Sequence, residues 1–181
     1  MLWTRFNVLN NIYSLANQGS DRTAATVMQL SQLLRYITYQ GQQAAVSLEE
    51  EVRQLRRYIA LFQLRGLASD NIDLEVIGDP YSWEIEPLLL LPLVENAFKH
   101  GNLVTSKSAY AKFTLVCSTD HLHFTAENSY DPQETQKDEE SGVGLDNIRQ
   151  RVLLTYGTAA EVRISTFSEG LFECQLILPK P

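Results

Sequence analysis

The sequence predicts an α+β fold: a helical segment over residues 1–66, followed by a sandwich of helices on a sheet over residues 67–181. Three observations carry this expectation. Up to Gly66, apolar residues recur at the helical period. After Gly66, short stretches alternate apolar and polar residues, as strands half buried in a sheet do. Those strands come largely as hairpin pairs separated by two helical stretches, an order that puts helices on one face of a sheet.

From Thr23 to Tyr39, apolar side chains fall at Val27, Leu30, Leu33, Leu34 and Ile37, close to a 3.6-residue repeat. "SLEE" at 47–50 is a capping box, with Ser47 as N-cap and Glu50 three residues on. The helix it opens carries Leu48, Val52, Leu55, Ile59 and Phe62 on one stripe, and Gly66 is placed to stop it. Two such stripes in succession read either as core faces or as a helical dimerisation unit. "NIDLEVIG" (71–78) alternates as a strand, with Pro80 marking the turn after it. "EPLLLLPLVENAFKHG" (86–101) is read as one helix with Pro87 in its first turn. "YAKFTLVCS" and "HLHFTAEN" are two strands joined by a short polar turn, and "YDPQETQKDEESG" is an acidic loop. "VGLDNIRQRVLLTYG" is a helix ended by Gly157, and "AEVRISTF" with "FECQLILP" forms a hairpin around "SEG". No internal repeat is present.

The 181 residues, 44% hydrophobic and 20% charged, fit a globular, soluble chain. A net charge of −7 argues against a nucleic-acid partner, because a surface that tracks phosphates needs a basic excess. Cys117 and Cys174 are far apart without metal-ligand spacing, which suits a reducing, cytosolic setting. The longest apolar run, Leu88 to Val94, is interrupted by Pro92 and far short of the about 20 residues that span a bilayer. With no signal peptide either, any membrane anchor is expected in segments outside this chain.

Three places carry chemistry. Asn96, Lys99 and His100 stand at i, i+3 and i+4, so they share one helix face. An amide oxygen is a hard ligand suited to magnesium, and lysine is a point charge for phosphate. A plain solvated helix end would look the same. Leu122, Phe124, Ala126 and Asn128 have one parity, so an apolar strand face ends in an amide that must find a partner or meet a ligand; otherwise it is a turn former. In "SGVGLDN" (141–147), Gly142 and Gly144 precede a helix, where backbone N–H groups can approach a phosphate, or where the chain merely turns tightly.

Taken in order, Asn-x-x-Lys-His on a helix, a strand ending in a polar residue, a loop, and GxGL-x-N opening a helix resemble the Bergerat-fold ATPase domain that histidine kinases share with several ATPases. More closely, "LLRY", "VSLEEEVRQLRRYIALFQLR", "PLLLLPLVENAFKHG", "GVGLDNIRQR" and "YG" resemble sensor histidine kinases of the LytS/YehU type, from about Phe6 to the C-terminus. The resemblance implies ATP and Mg²⁺ as ligands. Asn96 would hold the metal, Lys99 and His100 would approach the phosphates, and Asn128 would take the place of the aspartate that reads the adenine amino group. Residues 129–141 would form a lid over ATP, hinged by Gly142 and Gly144, with Asn147 beside the phosphates. Leu145, Ile148 and Val152 are expected in the core. The implied partners are a response regulator and a second copy of the chain as a homodimer, and the implied location is the cytoplasmic part of an inner-membrane sensor.

Two departures qualify that resemblance. Asn128 is an amide where the wider fold has a carboxylate, and Tyr130 and Pro132 stand where glycines usually line the pocket. Family members also carry "PHFLFN", whose histidine accepts the phosphate. Here "RFNVLNNIYSLA" resembles the stretch on the C-terminal side of that histidine, and the acceptor position falls on Trp3. Either residues 1–5 are foreign or altered sequence, or the protein is a natural variant without its acceptor. His121 and His123 lie on the polar side of a strand and do not replace it. Pro92 occupies the place of the glutamate base of ATP-hydrolysing relatives, and Glu95 is left at most a supporting role. A kinase core without its own target is therefore expected. The rival readings are a degenerate interaction module with weak or no ATP binding, and a serine kinase of the anti-sigma-factor type.

Overall fold

The computed structural model describes residues 2–64, 71–103, 106, 108–130, 141–167 and 170–180, with the side chains of 2–7 and 141–143 outside that description. Two helices open the chain, α1 (Leu2–Asn17) and α2 (Arg22–Tyr39). A two-residue strand β1 (Val46–Ser47) leads into α3 (Leu48–Gln63). Then come β2 (Ile72–Gly78), β3 (Glu84–Ile85), α4 (Leu91–His100), β4 (Ala111–Cys117), β5 (His121–Ser129), α5 (Ser141–Tyr156), β6 (Glu161–Phe167) and β7 (Leu171–Pro179).

The capping box forms in its first half: the Glu50 N–H donates to Ser47 Oγ at 3.3 Å, satisfying an orphan donor of α3. The Glu50 carboxylate turns outward instead, to Arg53 and Gln54. The stripe Leu48, Val52, Leu55, Ile59 and Phe62 is buried throughout. Gly66, expected to stop this helix, lies outside the described residues. In α2 the buried positions are Thr26, Leu33 and Tyr36, while Val27 and Leu34 of the predicted stripe are 47% and 36% exposed. Leu33 is buried and Leu30 and Ile37 pack against the core as that stripe predicts, and Tyr36 joins them, its hydroxyl reaching Glu51 of α3.

The helix read as starting near Pro87 begins instead at Leu91. Proline has no N–H and its ring clashes with the carbonyl four residues back, so Pro92 fits only in a first turn. Residues 87–90 form turns and bends, with Leu88 at φ 59°. A left-handed conformation costs an L residue about 1–2 kcal/mol, which its surroundings must offset. At the other end, Gly157 takes φ 69° and terminates α5 as expected.

Five strands form one sheet in the order β2-β4-β5-β7-β6. β2 and β4 are parallel, with α4 in the crossover between them, and the remaining pairs are antiparallel. β1 and β3 form a separate short ladder, Val46 opposite Ile85, that fixes the start of α3 beside the sheet domain. One face of the sheet is apolar: Phe113, Leu115, Leu122, Phe124, Ala126, Leu176 and Leu178 are buried, and they alternate with residues less buried. α4 covers this face, and α5 packs beside it against α4 and β6. α3 lies against α4 in turn. Aromatic rings record the layering: Phe62 stacks on Phe98 at 4.0 Å, Phe98 meets Phe113 edge-on at 5.8 Å, and Phe113 stacks on Phe124 at 6.3 Å. One apolar core thus runs from α3 through α4 into the sheet.

Candidate functional site

The C-terminal half of α4 sets the site. Its buried positions, Leu91, Leu93, Val94, Ala97 and Phe98, face the sheet and α3. This leaves Glu95, Asn96, Lys99 and His100 half-buried along the remaining face. Lys99 and His100 lie in the last turn, where cations also complement the helix dipole. Gly101 follows at once. A Cβ there would lie 2.5 Å from the Ala97 carbonyl oxygen, so the close turn off α4 needs a glycine, and the same position lies 3.4 Å from the Asn128 Cβ of β5. Ser129 ties the same point, its hydroxyl donating to the Gly101 carbonyl at 2.6 Å.

Beneath that helix end sits Asn128. It lies opposite Ala111 on β4 and Phe172 on β7, on the same face as Leu122, Phe124 and Ala126, and it is fully buried. Its Nδ2 donates to the Ser129 carbonyl at 2.7 Å, which orients the amide. Its Oδ1 has no hydrogen-bond partner among the described residues. A buried acceptor left unmade costs about 1–3 kcal/mol, so it is a feature that needs a partner from elsewhere.

The glycine pair stands differently from the sequence expectation. Gly142 and Gly144 do not precede a helix; they are its first turn, because α5 starts at Ser141. Helix geometry leaves the first four N–H groups without intrahelical acceptors, at the positive end of the dipole. Among the described residues, a Cβ on Gly144 would meet nothing within 4 Å. Asn147, one turn further, is exposed, whereas Leu145, Ile148 and Val152 are core as predicted. Further along α5, Arg151 reaches Glu86 and the carbonyls of Pro87 and Leu88, just before α4 begins. That contact places the later half of α5 at the start of α4. Of the lid expected over 129–141, residues 131–140, Pro132 among them, lie outside the description; Tyr130 donates its N–H to the Gly170 carbonyl at 2.7 Å.

His121 and His123 are on β5, away from this cluster; His121 pairs with Asp120 at 3.3 Å. Trp3 falls within α1, its side chain outside the description. Among the described residues, no cluster of three or more His, Cys, Asp or Glu is placed to hold a metal. The thiol of Cys174 is buried on the apolar face of the sheet, opposite Ala126, and pushed up to about 11 by that burial, so it is inert at neutral pH. Sequence reasoning missed Tyr36, Glu51 and Arg151, whose contacts converge just ahead of α4. One signal was available: Glu51 lies three residues after Leu48 and four before Leu55, on the buried stripe itself.

Comparison with known proteins agrees with this architecture. Residues 5–68 match the family model for histidine kinases. The sensor protein LytS of Staphylococcus saprophyticus is 29% identical over 176 residues, covering 91% of this chain and 30% of that protein. The sensor histidine kinase/phosphatase LytS of Staphylococcus aureus (strain MRSA252) is 27% identical over 184 residues, covering 94% of this chain and 32% of that protein. The chain therefore spans about a third of the length of the curated relatives it matches. Among solved structures, the catalytic domain of histidine kinase ThkA superposes with a TM-score of 0.52 at 17% identity, over 75% of this chain and 96% of that one. The Acinetobacter baumannii histidine kinase AdeS gives 0.51 at 14% identity, over 93% and 83%. The chain is thus similar to LytS-type sensor histidine kinases over nine-tenths of its length, and its fold is that of histidine kinase catalytic domains.

Proposed function

We propose that this chain is the ATP-binding catalytic part of a two-component sensor histidine kinase, a cytoplasmic segment of a longer, membrane-anchored sensor. A single observation carries this function: the unsatisfied, fully buried Oδ1 of Asn128 lies directly under the helix end that presents Asn96, Lys99 and His100. An acceptor in an apolar niche suits the amino group of adenine, and the polar helix face beside it suits phosphates. The donor set also fits the metal. One amide oxygen, from Asn96, is what a magnesium ion held mainly by phosphates and water requires.

Bound Mg-ATP supplies the phosphoryl group that a histidine receives, a transfer that depends on positioning and charge neutralisation. The residues of this chain divide that work. Asn128 fixes the base by accepting one hydrogen bond, without the charge assistance a carboxylate gives. Asn96 orients the metal-bearing side, and Lys99 and His100 offset phosphate charge. The first turn of α5 adds backbone N–H groups at Gly142 and Gly144, with Asn147 one turn on. Pro92 stands where a water-activating glutamate would be needed, so slow hydrolysis is expected. With Trp3 at the acceptor position, this polypeptide is not expected to phosphorylate itself.

The partners derive from the same proposal. A response regulator is the expected recipient of the phosphate. A second copy of the chain fits the outer face of α1 and α2, where Leu9, Tyr13, Val27 and Met28 are all exposed. The test is titration calorimetry with a non-hydrolysable ATP analogue, with and without magnesium, on the chain and on Asn96→Ala. Magnesium-dependent binding that the substitution removes supports the catalytic function. No binding at millimolar nucleotide sinks it and leaves an interaction module on an inherited fold.

A further inference from the structure

The segment between β3 and α4 is gripped from three sides by groups the nucleotide chemistry does not use. Leu88 adopts φ 59°, a region L residues rarely occupy. In that conformation its N–H donates to Glu51 Oε1 at 2.6 Å, and the Leu90 N–H faces the same carboxylate. Neighbouring amides turned to one point form a concave anion site. Here the anion is internal: Glu51 of α3, buried to 1% exposure. Its Oε1 also accepts the Tyr36 hydroxyl from α2. From the opposite side Arg151 of α5 donates to Leu88 O at 3.2 Å, Pro87 O at 3.0 Å and Glu86 Oε1 at 2.9 Å. Tyr156 Oη accepts the Glu86 N–H at 2.9 Å, and Thr155 Oγ1 donates to Glu86 Oε2 at 3.0 Å. Even packing is tight: a Cβ on Gly41, just past α2, would lie 2.7 Å from Leu88 Cδ1.

Five residues therefore touch α2, α3 and α5 and run straight into α4. An arrangement of this kind is discrete rather than soft. Taking the Tyr36 hydroxyl away leaves a buried carboxylate short of a donor, and among the described residues the Leu88 and Leu90 amides remain beside it to respond. Any response moves the first turn of α4. Arg151, holding the same carbonyls, transmits that movement to α5.

We propose that Tyr36, Glu51 and Arg151 are positioning residues of the nucleotide site: through residues 86–90 they set the start of α4 against α5, and hence the gap between the Asn96 end of α4 and the first turn of α5. This role rests on the nucleotide function proposed above, and it makes Tyr36, a residue of the N-terminal helices, a determinant of nucleotide affinity. The test uses the whole chain with Tyr36→Phe, which removes one hydroxyl, Arg151→Lys, which keeps the charge but loses the fork, and both together. Two readouts are taken: calorimetric affinity for magnesium with a non-hydrolysable ATP analogue, and hydrogen exchange of the amides at 88–94. Each single variant is expected to weaken affinity by roughly 5- to 10-fold, as for one buried hydrogen bond, and to speed exchange at 88–94 by a similar factor. The double variant should lose less than the product of the singles, because both act through one segment. Affinity and exchange unchanged in Tyr36→Phe, or losses that multiply independently, overturn the proposal. If Arg151→Lys does not fold, Glu51→Gln takes its place against Tyr36→Phe, judged on the same readouts. If the unsubstituted chain binds no nucleotide, the function of the site fails first. Exchange then decides the junction alone: faster exchange at 88–94 in Tyr36→Phe supports it, and unchanged exchange overturns it.

Discussion

Truncating Asn128 to alanine should leave the empty protein about as stable as before, which is unusual for a fully buried residue. Three contributions set the balance. The substitution loses the Nδ2 bond to the Ser129 carbonyl, about 0.5–1.5 kcal/mol, and opens a small void, on the order of 1 kcal/mol. It also removes an acceptor, Oδ1, that is buried without a partner, which returns about 1–3 kcal/mol. The sum lies within about 1.5 kcal/mol of zero, a shift of about 3–6 °C at most in melting temperature for a chain of this size. Leu122→Ala, on the same face of the same strand and equally buried, is the comparator and should lose about 2–5 kcal/mol. Nucleotide opens a gap between the unsubstituted protein and Asn128→Ala. At about 100 times its Kd, a ligand adds about 2.7 kcal/mol to the unsubstituted protein; a tenfold weaker variant at the same concentration keeps about half of that. Thermal unfolding with and without the magnesium–nucleotide analogue measures both quantities. An empty Asn128→Ala protein that loses more than about 2 kcal/mol would refute the reasoning, because Oδ1 would then be satisfied in the free protein and would not be waiting for a ligand.

Three further outcomes are expected. Burial raises the Glu51 carboxyl above the ordinary glutamate value, against the lowering pull of its hydrogen bonds from Tyr36 and Leu88. A folded pKa above the unfolded one means the contribution is complete below about 4.5 and is lost as pH rises through the folded value. Urea unfolding between pH 4.5 and 8 should therefore show a fall in stability, of about 1.4 kcal/mol per unit of raised pKa, that Glu51→Gln lacks; parallel profiles would contradict it. Gly157→Ala should cost about 1–2 kcal/mol, from backbone conformation, because φ is 69° and among the described residues a Cβ would meet nothing within 4 Å. A melting temperature unchanged within 1 °C or so would mean the turn relaxes freely. The pair Val27→Glu and Leu34→Glu, on the exposed face of α2, should convert a dimer to a monomer in sedimentation velocity while leaving the melting temperature of the sheet domain within a few degrees. A dimer that survives both charges does not use this face.

Several features were legible in the sequence because local periodicity determines them. The stripe from Leu48 to Phe62 became the buried face of α3, and Ser47 became its cap, since both depend on neighbours within four residues. Strand parity placed Asn128 on the apolar face with Phe124 and Ala126, and Gly157 ended α5. Other features were decided only by the tertiary structure. The predicted stripe of α2 and its packed face share Leu30, Leu33 and Ile37 but differ at Val27, Leu34 and Tyr36, because apolar period says which residues prefer cover and not which partner arrives to supply it. The start of α4 slid to Leu91, where Pro92 fits a first turn and the freed amides of 88 and 90 find Glu51. In sequence, the run Glu49 to Glu51 sets its third member on the buried stripe of α3 but does not show what would satisfy that carboxylate. Burial of its third member depends on a hydroxyl 15 residues earlier and an amide 37 residues later, contacts that no local rule encodes. A polar group can be buried only where distant chain supplies its hydrogen bonds, so sequence names the helix and the tertiary structure names the carboxylate it buries.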